Sequence, residues 1–206
     1  ILKTTGANLY YHLSRLEKYN LIRKETLQQI GNAKINRISI NPSARQYIRQ
    51  ILGFKIEDYT LITGFGTLKT GYQIPDKVFK ILKENYYPIS RVVCFTSPDA
   101  IEKRKEHQKH KELMKIDRYI QYPYEEYRDI KSKFYKEIEN IISEEMKTSD
   151  IIIDLTPLSK LFSFKLLELA NKYNLPCIYL GINKDGDSEL LSMSKMKIEG
   201  IIQNFN

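Results

Sequence analysis

Four short apolar runs set the strongest limit on the fold: "YTLITG" (59–64), "RVVCFTS" (91–97), "DIIIDLT" (150–156) and "PCIYLG" (176–181). A weaker run, "RYIQYPY" (118–124), stands between the second and third. Stretches with helical spacing separate them, expected over Pro75–Asn85, Pro98–Lys115, Tyr124–Met146 and Pro157–Tyr173. Strands without polar alternation are buried on both faces, and strictly alternating strands and helices make a parallel sheet. Right-handed crossovers then predict a doubly wound, mostly parallel α/β sheet over 56–206, with strand order 3-2-1-4-5. The tail "DGDSELLSMSKMKIEGIIQ" adds an edge hairpin or exchanges with a partner.

In such sheets ligands bind beyond the carboxyl ends of the strands, where the winding reverses. That point lies between the first and fourth strands, which end in "TGFGTLKTG" and "DLTPLSK". Gly64 and Gly66 permit a sharp turn and close approach to a ligand, Thr67 offers a hydroxyl and Lys69 a charge. Thr156 is expected to cap the following helix with Pro157 in its first turn, so free N–H groups and Lys160 face the crevice. Asp154 either accepts from ribose hydroxyls or orients the loop. The candidate ligand-binding set is Gly64, Phe65, Gly66, Thr67, Leu68, Lys69, Thr96, Ser97, Asp154, Thr156, Leu158, Ser159 and Lys160. "GFG" lacks the third glycine of the dinucleotide fingerprint, and no Gly-Lys-Ser/Thr is present to make a Walker loop.

The charge is unevenly spread. Residues 1–55 hold ten Lys/Arg against two acids, Glu17 and Glu25, whereas the remainder has 23 of each sign. The whole net charge of +8 therefore sits in the first quarter, which suits a polyanion partner for that part alone. "TTGANLYYHLSRLEKYNLI" predicts a helix with Leu9, Leu13 and Leu16 on its core side. Two β-prone segments joined at "IGNAK" and a further helix from "NPSARQYIRQIL" follow, capped by Asn41 or Ser43.

Helix, basic hairpin, helix resembles the second half of a winged helix-turn-helix, most closely at "YYHLSRLEKYNLI". The resemblance implies binding to double-stranded DNA through Asn8, Tyr10, Tyr11, Ser14, Arg15, Lys18, Arg23, Lys34 and Arg37. The motif's first helices have no counterpart in the sequence, so the module is expected to be N-terminally incomplete. Tyr10 and Tyr11 are expected to divide between core and interface. A dimerisation or protein-contact surface is the alternative use of this module.

"DLTPLSK" fits the D-x-[S/T]-x-x-x-[K/R] signature of the CRISPR-associated Rossmann fold (CARF) domains, and "RVVCFTSPDAIEK" is similar to that family's second strand and loop. The resemblance covers residues 58 to 185. It implies a Rossmann-like, cytoplasmic homodimer that binds a cyclic oligoadenylate, cyclic tetra-adenylate foremost, across its two-fold axis. Joined to a winged helix, it is similar to the family's transcriptional regulators, linked to CRISPR-Cas defence. Pro157 and Leu158 stand where the family often has glycines, and Leu68 where ring-cleaving members commonly have Ser. With no histidine near either loop in the sequence, binding with absent or very slow cleavage is expected. A ring nuclease and a sensor of another nucleotide are the alternatives.

Cys94 and Cys177 lie inside apolar runs and read as buried thiols. No run reaches the ~18 to 20 apolar residues of a membrane span. His107 and His110 have helical spacing but sit in a charged, solvated-looking segment, and no metal site, cofactor or catalytic constellation is expected. Tyr119, Tyr122, Tyr124 and Tyr127 are mainly packing residues that could also stack on bases.

Overall fold

The computed structural model describes residues 6–31, 33–41, 44–54, 58–68, 71–108, 113–122, 125–126, 129, 133–157 and 159–194. Contacts divide the chain into two units, Ile1–Lys55 and Ile56–Asn206.

The first unit runs α1 (Gly6–Lys18), β1 (Ile22–Ile30), β2 (Ala33–Ile40) and α2 (Arg45–Ile51). The strands form an antiparallel hairpin in register from Ile22 opposite Ile40 to Ile30 opposite Ala33, with an irregularity between Thr26 and Gln28. The chain turns from α1 into β1 at Asn20, whose φ is 56°. The side-chain Nδ2 of Asn41 donates to Asn20 Oδ1 at 2.7 Å and ties the hairpin's end to that turn. The leucines depart from expectation: Leu9 and Leu16 are 49% and 38% exposed, and Leu13 alone of the three is partly covered. Tyr10 and Tyr11 are both exposed, so neither joins a core. The described residues of this unit leave that apolar stripe uncovered. Ser43 lies outside the described residues, which leaves the expected cap of the second helix open.

The second unit carries β3 (Tyr59–Phe65), α3 (Ile74–Glu84), β4 (Ile89–Thr96), α4 (Pro98–Gln108), β5 (Arg118–Gln121), α5 (Lys133–Glu145), β6 (Asp150–Asp154), α6 (Lys160–Tyr173), β7 (Cys177–Ile182) and β8 (Ser188–Ser192). The sheet order is β5-β4-β3-β6-β7-β8, the doubly wound order read from the sequence, and the tail supplies the edge strand β8. β3 to β7 are parallel; β8 pairs antiparallel with β7 as a hairpin.

Successive strand residues point to opposite faces, and the core divides accordingly. Ile62, Ile151 and Ile153 face α5 and α6, packing with Phe134, Ile138, Phe162 and Leu166. Leu61 and Ile152 face the other way, against Val78 and Leu82 of α3. A third cluster joins Phe65, Tyr72, Cys94, Ala100 and Ile101 near the end of β3. Glu145, almost fully buried, accepts from Arg118 at 2.9 Å and Arg91 at 3.2 Å, bracing α5 against β4 and β5. Burial pushes the thiol pKa of both Cys94 and Cys177 far up, so they are the inert core thiols that the sequence indicates. No described helix is long and apolar enough to cross a membrane.

Candidate ligand site at the strand exits

Two adjacent parallel strands, β3 and β6, end side by side and carry the two odd loops out of the sheet. Gly64 lies within β3 opposite Phe95 and is buried, so it is a strand residue and not the turn glycine expected. Gly66 alone opens the turn. Thr67 and Leu68 after it are exposed, Leu68 by 79%. The loop folds back on itself: Gly71 N–H donates to the Leu68 carbonyl at 3.0 Å. A side chain at 71 would stand 3.4 Å from the Gly66 carbonyl oxygen and 3.6 Å from Leu68 Cβ. A 3-10 turn, Gly71–Gln73, then leads into α3.

Phe65, Thr96 and Ser97 are buried and support this loop from below. Thr96 Oγ1 donates to the Phe65 carbonyl at 2.9 Å, joining the ends of β4 and β3. Ser97 Oγ accepts from Ala100 N–H at 3.4 Å, at the start of α4.

At the exit of β6, Asp154 is fully buried. Its Oδ2 accepts from Thr63 Oγ1 at 2.7 Å, and its Oδ1 from Thr156 N–H at 2.9 Å. Burial pushes its pKa up, against the pull of hydrogen bonds from Thr156 and Thr63. Both oxygens are engaged inside the protein, which fits the orienting role of the two considered. Because its folded pKa is raised, the stability Asp154 contributes is fully present below the ordinary aspartate pKa of about 4. It is lost as pH rises through the folded value. Asp154→Asn keeps an acceptor for Thr156 N–H, with an amide in place of the second oxygen, and is expected to remove that slope. Urea unfolding of both proteins between pH 4 and 8 checks this; parallel pH profiles would assign the slope to another group.

The helix start differs from expectation. Thr156 is not the N-cap: its hydroxyl accepts from Leu180 N–H at 2.7 Å. The β6–β7 pairing ends at Asp154 opposite Ile178, so the Leu180 amide on β7 needs an acceptor, and Thr156 supplies it. Ser159 caps α6 instead, with φ −61°, ψ 150° and Oγ accepting from Phe162 N–H at 3.4 Å. Lys160 is therefore the first helical residue, exposed at the end where N–H groups lack helical carbonyls and the dipole is positive. Lys69 and Leu158 lie outside the described residues.

The geometry thus brings the Gly66–Leu68 turn, exposed at Thr67 and Leu68, and the exposed Ser159–Lys160 helix start to the exits of neighbouring strands. The chain Thr63–Asp154–Thr156–Leu180 fixes them from beneath. Such an arrangement suits an anionic ligand approached by backbone amides and one lysine.

Some side chains fall elsewhere than the sequence suggested. His107, on α4, stacks on the ring of Tyr72 at 4.2 Å with an 8° interplanar angle, so one histidine does stand beside the turn that follows the glycine loop. Tyr119 and Tyr122 line a cavity of about 410 Å³ between β5 and α5, with Arg118, Glu137, Asn140 and Glu144. Tyr122 also packs on Phe134 at 4.0 Å, consistent with packing as its main role. His110, Tyr124 and Tyr127 lie outside the described residues. No group of three or more metal-ligating side chains occurs among the described residues. The residue that sequence reasoning missed is Arg104, buried in α4 beneath the glycine loop.

In the first unit, Asn8, Tyr10, Tyr11, Ser14, Arg15 and Lys18 are all exposed on α1. At 100° per residue they fall within an arc of about 160°, away from Leu9, Leu13 and Leu16. Arg15 reaches back to Tyr11, donating to its hydroxyl at 3.4 Å. Arg23 pairs with Ser39, donating to its Oγ at 3.0 Å, and shares a hairpin face with Arg37; Lys34 stands on the other face.

Comparison of the sequence with family models and with curated proteins finds no match. Among solved structures, the chain is similar to Csm6 from Enterococcus italicus bound to cyclic hexa-2′-fluoro-hexa-dAMP, at 16% identity over 60% of this chain and 33% of that one, with a TM-score of 0.44. It is also similar to Can2 from Sulfobacillus thermosulfidooxidans in complex with cyclic tetra-adenylate, at 16% identity over 65% of this chain and 36% of that one, with a TM-score of 0.41. The chain spans about a third of the length of each.

Proposed function

We propose that the second unit is a CARF-like sensor that binds a cyclic oligoadenylate, cyclic tetra-adenylate foremost, in a cytoplasmic homodimer serving CRISPR defence. The first unit is a winged-helix-like module that binds double-stranded DNA. The observation that carries the ligand reading is the pairing of the Gly66–Leu68 turn with the capped start of α6 at Lys160. Ring phosphates accept from the helix N–H groups and from the ammonium, while the glycine turn lets backbone approach the ring. The D-x-T-x-x-x-K spacing agrees with this use. Ligand binding shifts the placement of the two basic modules and so their match to DNA half-sites.

The dimer is assigned to α6. Leu161 and Phe164 lie three residues apart on one face of the helix, 42% and 68% exposed, directly after Lys160. A second copy seated there covers both apolar side chains and brings a second helix start to the same ring. Phe164→Glu is expected to turn a dimer into a monomer in sedimentation and to weaken ligand binding at least tenfold. A dimer unchanged by that charge would move the interface elsewhere.

Calorimetry with cyclic tri-, tetra- and hexa-adenylate tests the assignment as a whole. Saturable heat with one ring is expected; heat with none, against a response to a linear or mononucleotide ligand, would replace it with a different nucleotide sensor. Slow or absent ring cleavage is expected, because Leu68 stands where ring-cleaving relatives commonly carry Ser. Multiple turnovers within minutes, abolished by Lys160→Ala, would make the protein a ring nuclease instead.

A further inference from the structure

Among the described residues Arg104 is the buried arginine, 1% exposed, and it belongs to a helix whose sequence reads as a solvated charged face. Its Nη1 donates to the Tyr72 carbonyl and to Asp76 Oδ2, both at 2.6 Å. Its Nη2 donates to Asp76 Oδ1 and to the Met114 carbonyl, both at 3.1 Å. The guanidinium lies 5.4 Å from the centre of the Phe65 ring. Asp76 Oδ1 also accepts from Met114 N–H at 2.6 Å, so the carboxylate is fixed from two sides.

Phe65 is the last residue before the glycine turn, and Tyr72 stands in the 3-10 turn that ends it. One planar group therefore touches the residue before the Gly66–Leu68 turn and the Gly71–Gln73 turn after it, and anchors them to α3 through Asp76 and to the approach to β5 through Met114. A lysine could hold the charge but not the fork, because only a guanidinium presents parallel donors in one plane. Taking such a pair out of water is costly, and an apolar pair often stabilises as well, so stability alone is a poor reason for this design.

We infer that Arg104 is a positioning residue that sets the conformation of the glycine turn, and through it the affinity for the ligand. The ligand half of this rests on the reading that the turn contacts a cyclic oligoadenylate; the conformational half does not. Arg104→Lys is the principal test and Asp76→Asn the second, since it weakens the fork while keeping an acceptor for Met114 N–H. Hydrogen exchange is expected to quicken at least tenfold at residues 66–68, 71 and 72 in both variants, with amides of β6 and α5 unchanged. Affinity for cyclic tetra-adenylate is expected to fall at least tenfold. Thr67→Ala, added to Arg104→Lys, should cost less than it does alone, because the turn is already misplaced.

Unchanged exchange at residues 66–68, 71 and 72 in a folded Arg104→Lys protein would overturn the inference whatever the ligand. Uniformly faster exchange throughout the sheet would reduce Arg104 to a core ion pair. Wild-type binding with undiminished affinity in Arg104→Lys would overturn the ligand half alone. Failure of the wild type to bind any ring would instead sink the ligand assignment, leaving exchange to judge the conformational claim.

Discussion

A chain beginning at Ile56 is expected to lose measurable affinity for duplex DNA and to keep its affinity for cyclic tetra-adenylate. The whole net charge of +8 belongs to residues 1–55, and the remainder has as many acids as bases. DNA affinity from phosphate contacts depends on that charge: each neutralised phosphate contributes about −0.9 to the slope of log K against log salt. Six such contacts would lose roughly a thousandfold between 50 and 200 mM salt. Arg15 on α1 and Arg37 on β2 are exposed, so their alanine variants should each flatten the slope by about one without unfolding the unit. Fluorescence anisotropy across a salt series measures both effects. Equal DNA affinity for the shortened chain would end the regulator reading and favour the module as a protein-contact surface.

Lys160→Ala is expected to weaken ligand binding by about one to two decades with the fold intact. A charge-assisted phosphate contact is worth roughly 1.5 to 3 kcal/mol. The side chain is exposed at the first turn of α6, so its loss removes no core packing. Lys165 provides the control, because its ammonium is already engaged by Glu168 at 3.1 Å one turn further along the same helix. Lys165→Ala should leave affinity unchanged within about twofold. An equal loss in both variants would point to long-range attraction in place of a phosphate contact, and no loss in either would place the pocket elsewhere.

The sheet was legible because its strands are unusually plain. Ile151, Ile152 and Ile153 fill both faces of β6, which only a central strand allows, and the crossover rule then orders its neighbours. The meeting of the two loops at the candidate site was legible, but not the roles of their residues. Thr156 and Ser159 are equally good caps in isolation; the choice was made by Leu180, an amide 24 residues away whose need for an acceptor no local rule registers. Asp154 was drawn inward by Thr63 on a neighbouring strand, again a tertiary contact. Arg104 was hidden more deeply: in "EKRKEHQKHKE" nothing distinguishes one cation from the next. Its partner Asp76 stands 28 residues earlier, in the first turn of α3. Leu9 and Leu16 show the reverse limit, since their helical spacing is right but the described residues of the unit offer no cover.

Both native thiols are chemically silent: Cys94 and Cys177 are fully enclosed, and their thiolates are suppressed at any ordinary pH. The protein is therefore ready for spectroscopic rulers without first being stripped of cysteine. A single new cysteine at the exposed Ile30, on the tip of the hairpin, becomes the only reactive position among the described residues. Spin labels there would report the separation of two hairpins in the proposed dimer with and without cyclic tetra-adenylate. On the proposed reading, the response to ligand then becomes a distance that can be read directly, independent of any DNA sequence.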